Sequence, residues 1–409
     1  MAGLVLGPLL RYAGTEDATI WVETDGPCRV EVAIEGADEC SRHTFAVHGH
    51  HYALLHCTGL QPDGTQPYEV RLDGETVWPE PDSEFPPSVV RTHSGGNGAQ
   101  TRIIFGSCRV AAPHEPPHSL RKDEHPDGRE VDSLMAIAQR MVEQDPDQWP
   151  HALLLLGDQV YADEVSPNVK EFIRSRRDPE VPPYETVADF EEYTRLYRES
   201  WGEPTMRWLL STVPSAMIFD DHDVHDDWNT SIDWVQTMRG TGWWDRRIEG
   251  GFISYLIYQH WGNLSPDELH DDEMFKLAVD ERDVDITQQL GAVLRLPQRA
   301  VHVVLRQVLR RQVAHVLVQP IRHEAADDPL VPPPGRAHRP HPRDRRVPVV
   351  VHVVVVEDHR RGDGGEQPAD VRLRPRLAVQ QRVLLEVRDR LPRRHRGVPV
   401  RADVVAHAG

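Results

Sequence analysis

Short stretches of alternating apolar and polar residues fill the first 90 positions, each bounded by turn residues, which is the pattern of half-buried strands. Thr19-Ile20-Trp21-Val22 leads through Asp25-Gly26 to Arg29-Val30-Glu31-Val32-Ala33-Ile34, and residues 68–72 reach Thr76-Val77-Trp78 through Asp73-Gly74. Asp-Gly supplies the two positive φ values of a tight hairpin, so both pairs predict hairpins. Strands at this spacing predict a β-sandwich of the fibronectin type over residues 1–92. The apolar opening, residues 1–11, has neither a basic leader nor a small-residue cleavage site and reads as a first strand, which places the chain as written in the cytoplasm. A mis-called start would hide a leader and make the protein an exported one. His48, His50 and His51 fall on a strand-and-turn surface and read as solvated rather than as ligands.

Past a Gly-rich linker over residues 93–100 the pattern changes to apolar runs separated by helix-period segments. Three of these runs end in potential ligands. Thr101-Arg102-Ile103-Ile104-Phe105-Gly106 delivers Ser107-Cys108-Arg109, and Ala152-Leu153-Leu154-Leu155-Leu156 closes on Gly157 and offers Asp158 and Tyr161. Ser215-Ala216-Met217-Ile218-Phe219 empties into Asp220-Asp221-His222-Asp223 and on to Asn229. Residues 132–142 have helical spacing between the first two runs, so β-α-β order predicts a right-handed crossover and a parallel sheet. Residues 190–208, and a segment through Tyr255, Tyr258 and Trp261, also read as helices, while Trp243 and Trp244 either pack in the core or wall a pocket.

Strands that each finish in thiol, carboxylate, phenol or imidazole fit a site at the carboxyl edge of an open α/β sheet. Carboxylates at that density repel one another unless a cation or hydrogen bonds neutralise them. Hard oxygen donors beside imidazole suit a di- or trivalent metal. The third loop taken alone is also compatible with a solvated acidic surface.

Charge alters this picture in one place. The net charge of −19 argues against nucleic acid as a partner, but it is an average over two unlike parts. Residues 1–292 carry −30, whereas residues 293–409 carry 23 Arg against 12 acids. After Phe275 there is no aromatic residue, and after Thr287 no Ser, Thr or Asn. Loops draw on Ser and Asn and cores on aromatics, so residues 291–409 are expected to be an out-of-frame translation without a fold, the alternative being a basic disordered tail. The nine histidines there are poor ligands. Cys28, Cys40 and Cys57 read as buried free thiols, with a Cys40–Cys57 disulfide as the alternative. No apolar run approaches the length of a membrane span.

Gly106-Ser107-Cys108, Gly157-Asp158-x-x-Tyr161 and Asp220-Asp221-His222-Asp223 resemble the alkaline phosphatase D family of calcineurin-like metallophosphoesterases, over residues 1 to about 290. The resemblance implies a catalytic region at residues 101–290 built as part of an α/β/β/α sandwich, with Fe3+ and Ca2+ as the suggested ions. It assigns Cys108 and Tyr161 to the ferric ion, Asp158 as a bridge, Asp221 to the second metal and His222 as the catalytic histidine. Arg109, Asp220 and Asn229 carry over only as substrate or supporting contacts. The implied reaction is hydrolysis of a small phosphate ester by in-line attack of a hydroxide between the metals. Late Gly-Asp-x-His and Gly-x-His-like elements that complete the family's cluster are missing from the tail, so the alternative is an inactive truncated member or a non-catalytic binding protein.

Overall fold

The computed structural model describes residues 2–93, 101–109, 115–228, 230–280, 285–294, 351–355 and 402–405. Nine strands come from the first 91 positions: β1 (Leu4–Ala13), β2 (Asp17–Thr24), β3 (Arg29–Ile34), β4 (Cys40–His43), β5 (Phe45–Val47), β6 (His50–Thr58), β7 (Thr65–Leu72), β8 (Glu75–Trp78) and β9 (Val89–Arg91). They form two antiparallel sheets, β1-β2-β6-β5 and β4-β3-β7-β8, with β9 also pairing β7. Alternation sorts the side chains: Ala18, Ile20 and Val22 of β2 meet Val30, Val32 and Ile34 of β3 and Val70 and Leu72 of β7 in one core.

The two Asp-Gly pairs part company. Asp73 (φ 49°) and Gly74 (φ 87°) make the expected hairpin from β7 to β8, pairing Leu72 with Glu75. Asp25-Gly26 does not make one. β2 already has β1 on one side and β6 on the other, so no edge is left for β3, and the chain crosses to the second sheet. The free-thiol expectation is likewise corrected for two cysteines. Cys40 of β4 and Cys57 of β6 are disulfide-bonded at a Cα separation of 5.2 Å, while Cys28 is a buried free thiol.

The sheet β1-β2-β6-β5 is covered on both faces. Leu6, Leu9, Trp21, Phe45, Tyr52 and Leu54 turn away from the first core and share a second one with the helices that follow. Polar bonds cross the same junction: Arg207 donates to the Gly7 carbonyl at 2.8 Å and the Tyr68 hydroxyl to the Ser211 carbonyl at 2.7 Å. His50 takes part as well. It is bonded to Glu191 at 2.7 Å and lies within 3.3 Å of buried Glu23, which corrects its reading as a solvated surface histidine.

The later region supplies β10 (Thr101–Gly106), α1 (Ser133–Val142), β11 (Ala152–Leu155), α2 (Pro167–Arg176), α3 (Phe190–Trp201), α4 (Pro204–Thr212), β12 (Ser215–Met217), α5 (Ile232–Arg239) and α6 (Trp244–Ser254). Asp132 caps α1, its carboxylate accepting from the Leu134 and Met135 amides. The helix expected over 190–208 is two helices, because Pro204 cannot continue α3 and instead opens α4 behind the Glu203 cap. After α6 the chain widens into a π-helical turn, Tyr255–His260. Trp244 is fully buried beside Val224, Ile248 and Phe252, which settles it as core, and Trp243 packs against the same group.

β10, β11 and β12 are parallel neighbours, in the sheet order β12-β11-β10-β13-β14. The outer two, β13 (Val351–Val355) and β14 (Ala402–Val405), come from the tail. Those nine residues are short Val-rich segments with the β-branched character of strands, and they extend the sheet on the free side of β10. Apart from these strands and residues 291–294, the tail lies outside the described residues, as do residues 94–100 of the expected linker. Among the described residues this region holds one parallel sheet, not the two of an α/β/β/α sandwich. No helix there is long and apolar enough to cross a membrane.

Candidate metal centre

The carboxyl ends of β10, β11 and β12 meet. The Leu156 amide donates to the Gly106 carbonyl at 2.7 Å and the Cys108 amide to the Gly157 carbonyl at 3.3 Å, so the first two loops leave the sheet tied together. Gly157 has φ +113°, and a Cβ there would stand 2.5 Å from that of Asp220. Glycine therefore allows the second and third loops to close on each other. Asp158 (φ 51°) and Cys108 (φ 59°) also lie in the left-handed region, which Asp tolerates and Cys seldom adopts; such strain gathers at functional sites.

Asp158, Asp220 and Asp221 each bring a carboxylate oxygen within 4.8 Å of the others. Asp158 is only 3% exposed, and its Oδ1 is buried with no hydrogen-bond partner. Such an oxygen is expensive to leave unsatisfied. Burial, with Asp220 and Asp221 close by, pushes the Asp158 carboxyl up to about 6. Burial and neighbouring Asp221 likewise raise Asp220. The thiol of exposed Cys108 is raised by burial and by the Asp158 carboxylate that it faces, and the Tyr161 phenol is raised by burial and the same acid. Asp158, Asp220, Cys108 and Tyr161 are thus held toward their neutral forms, as happens when acidic groups gather in a partly buried place.

His222 stands beside this group. Its Nδ1 lies 3.0 Å from Asp163 Oδ1, and the other oxygen of Asp163 accepts from the Asp226 amide at 2.5 Å. The bond to Asp163 outweighs desolvation and lifts the imidazole to about 9. Burial alone would raise Asp163, but its bonds to His222 and the Asp226 amide hold it below the usual carboxylate range. The Tyr161 ring sits 4.6 Å from the imidazole, centroid to centroid. Behind the loop, buried Asp223 accepts from the Asp220 amide at 3.0 Å and from Gln259 Nε2 at 3.4 Å, and burial pushes its carboxyl up to about 8.

Cys108, Asp158, Tyr161, Asp221 and His222 are therefore brought together, and Asp220, expected only as a supporting contact, joins the carboxylate group itself. Arg109 turns to the scaffold: its Nε donates to Asp132 at 2.8 Å and its Nη1 to the Ser200 carbonyl at 2.7 Å. Asn229 lies outside the described residues. Asp163 and Asp223 were not singled out from sequence. Asp163 sits two places after Tyr161, which was the available signal, but its partner lies 59 positions away.

Residues 1–90 match a family profile described as a domain of unknown function, and residues 128–266 match that of the PhoD-like phosphatases. No curated protein matches the chain. The solved structure of PhoD is similar at 12% identity with a TM-score of 0.40, over 62% of this chain and 45% of that one. A carbohydrate acetylesterase from Xanthomonas citri is similar at 9% identity with a TM-score of 0.18, over 62% of this chain and 75% of that one. Both TM-scores are too low to establish a shared fold, and the chain spans less than half the length of PhoD. Cys108 precedes the segment that matches the PhoD-like phosphatase profile, residues 128–266, whereas Asp158, Tyr161, Asp163, Asp220, Asp221 and His222 all fall inside it.

Proposed function

We propose that the loops after β10, β11 and β12 hold metal ions and hydrolyse a small phosphate ester. The observation that carries this reading is that Asp158, buried and with one oxygen unpartnered, is one of three carboxylates that each bring an oxygen within 4.8 Å of the others. Cys108, Asp158, Tyr161 and Asp221 would be the ligands, with Asp220 as a further donor, and thiolate with phenolate favours Fe3+ at one position and hard oxygens Ca2+ at the other. Bound there, such ions supply positive charge to phosphoryl oxygens and acidify water.

The chain's own residues do the rest. Nδ1 of His222 donates to the Asp163 carboxylate, and that bond favours the imidazolium, whose second proton sits on Nε2 and can be given up. As water adds to phosphorus and the P–O bond to the alcohol breaks, that proton passes to the departing oxygen. Asp223 holds the Asp220 amide and so fixes the loop that carries Asp221 and His222. Hydrolysis of p-nitrophenyl phosphate by the full chain, abolished by EDTA and restored by added metal, is the expected result. Hydrolysis that EDTA leaves untouched would overturn the reading.

Tail composition supports a second reading, in which residues after about 290 are out of frame and the metal cluster lacks its late ligands. The chain as written would then bind metal weakly and act as an inactive or binding protein. Resequencing codons 280–300 decides: another frame that restores aromatics, Ser, Asn and a Gly-Asp-x-His element makes the tail an artefact and the native protein a complete metallophosphatase, whereas a confirmed frame with empty alternatives favours the inactive or binding protein.

A further inference from the structure

Arg11, near the end of β1, is only 3% exposed, and its guanidinium is bonded to neutral oxygens. Nε donates to the Ser215 carbonyl at 3.1 Å, Nη1 to the Tyr258 carbonyl at 2.6 Å, and Nη2 to the Gln259 carbonyl at 2.9 Å and Asn263 Oδ1 at 3.1 Å. A cation this deeply buried is tolerated only because its donors are satisfied. Two of the acceptors lie at the end of the π-helical turn Tyr255–His260, where helical carbonyls run out of partners and the dipole is negative.

The Ser215 carbonyl belongs to β12, the edge strand of the parallel sheet. Asn263 pairs with both backbone groups of Met217 on the same strand, at 2.8 Å to the amide and 2.6 Å to the carbonyl. Arg11 and Asn263 together thus take up hydrogen bonds that a neighbouring strand would otherwise make. The guanidinium also rests on Gly262, where a Cβ would come within 2.3 Å of its central carbon. β12 runs directly into Asp220, Asp221 and His222. Gln259, held by its carbonyl, reaches Asp223 behind that loop. One side chain of the amino-terminal sheet therefore touches the acidic loop's support from two directions.

We infer that Arg11 is a positioning residue for the metal-binding loop, through which the amino-terminal sheet sets where Asp220, Asp221 and His222 stand. The inference rests on the phosphatase reading for its chemistry but not for its geometry. In the full chain, Arg11→Ala should speed amide exchange across residues 215–224 at least about tenfold while residues 152–155 stay protected. Metal affinity should fall about 10- to 100-fold, the size of effect seen when the support of a ligand is lost. The kcat should fall with it and KM hold. Millimolar guanidinium should restore the Ala variant, and Arg11→Lys should not, because an ammonium lacks the planar fork.

Gly262→Ala displaces the guanidinium without removing it and should reproduce the loss, which keeps the test alive if Arg11→Ala does not fold. A variant that melts earlier yet keeps wild-type exchange at 215–224 and wild-type metal affinity would overturn the inference, reducing Arg11 to a bond between two regions. Should the wild type bind no metal and hydrolyse nothing, the phosphatase reading falls, and the exchange contrast still decides for or against the positioning role.

Discussion

Two buried carboxylates, one in each region, show what separates a structural charge from a chemical one. Glu23 of β2 is 0% exposed, and both of its oxygens are engaged. Oε1 meets Arg198 at 2.7 Å and His50 at 3.3 Å, and Oε2 accepts from the Tyr258 hydroxyl at 2.9 Å. Asp158 is 3% exposed, sits at a left-handed backbone position, and keeps one oxygen without a partner among further acids. Burial is the same in both; satisfaction is not. The carboxylate that the fold leaves incomplete is the one we propose takes a ligand.

The contrast breaks first at Asp158. Asp158→Asn should weaken metal binding by more than about 100-fold, beyond the loss expected for a supporting residue, while urea stability stays level or rises as a buried charge is removed. Calorimetric metal titration beside urea melts would show it, and a large loss of stability with metal binding intact would make Asp158 a second Glu23. Asp163 sharpens the comparison because it is well bonded yet serves the imidazole. Asp163→Asn should lower kcat about 10- to 100-fold with metal content unchanged. Equal losses in kcat and metal content would instead place it among the ligands.

Glu23→Gln should act in the opposite sense, lowering stability by about 2 kcal/mol and leaving metal affinity within about twofold. That figure lies below the range for a fully buried pair because Arg198 is a third exposed. The smallest effect is in pH. Burial lowers the His50 pKa, but the hydrogen bonds it donates to Glu23 and Glu191 prevail and hold it above its ordinary value. A raised folded pKa stabilises fully below about pH 6.5, the unfolded value, and the contribution is lost as pH rises through the folded one. His50→Gln should flatten that slope in urea midpoints, by less than about 1 kcal/mol; an unchanged slope would remove His50 from the junction.

Local order was legible in the sequence wherever one segment decides its own conformation. The Asp73-Gly74 hairpin, the helical spacing over residues 132–142 and the three strand ends at Cys108, Asp158 and Asp220 all follow from residues next to one another. What escaped depends on distant partners. Asp25-Gly26 fails as a hairpin because β6 takes the edge of β2, which no pattern within residues 19–34 can announce. Asp163 finds His222, and Arg11 finds the carbonyls of Tyr258 and Gln259, only once the chain is folded. The tail differs again: composition over residues 293–409 describes an average, whereas the short Val runs of β13 and β14 follow strand propensity.

The most direct test is the metal content of the purified, dialysed full-length chain, set beside that of Asp158→Asn. Retained metal in the wild type, lost in the variant while the fold is kept, is the expected result. No metal in either protein, or the same amount in both, would contradict a metal centre at Asp158.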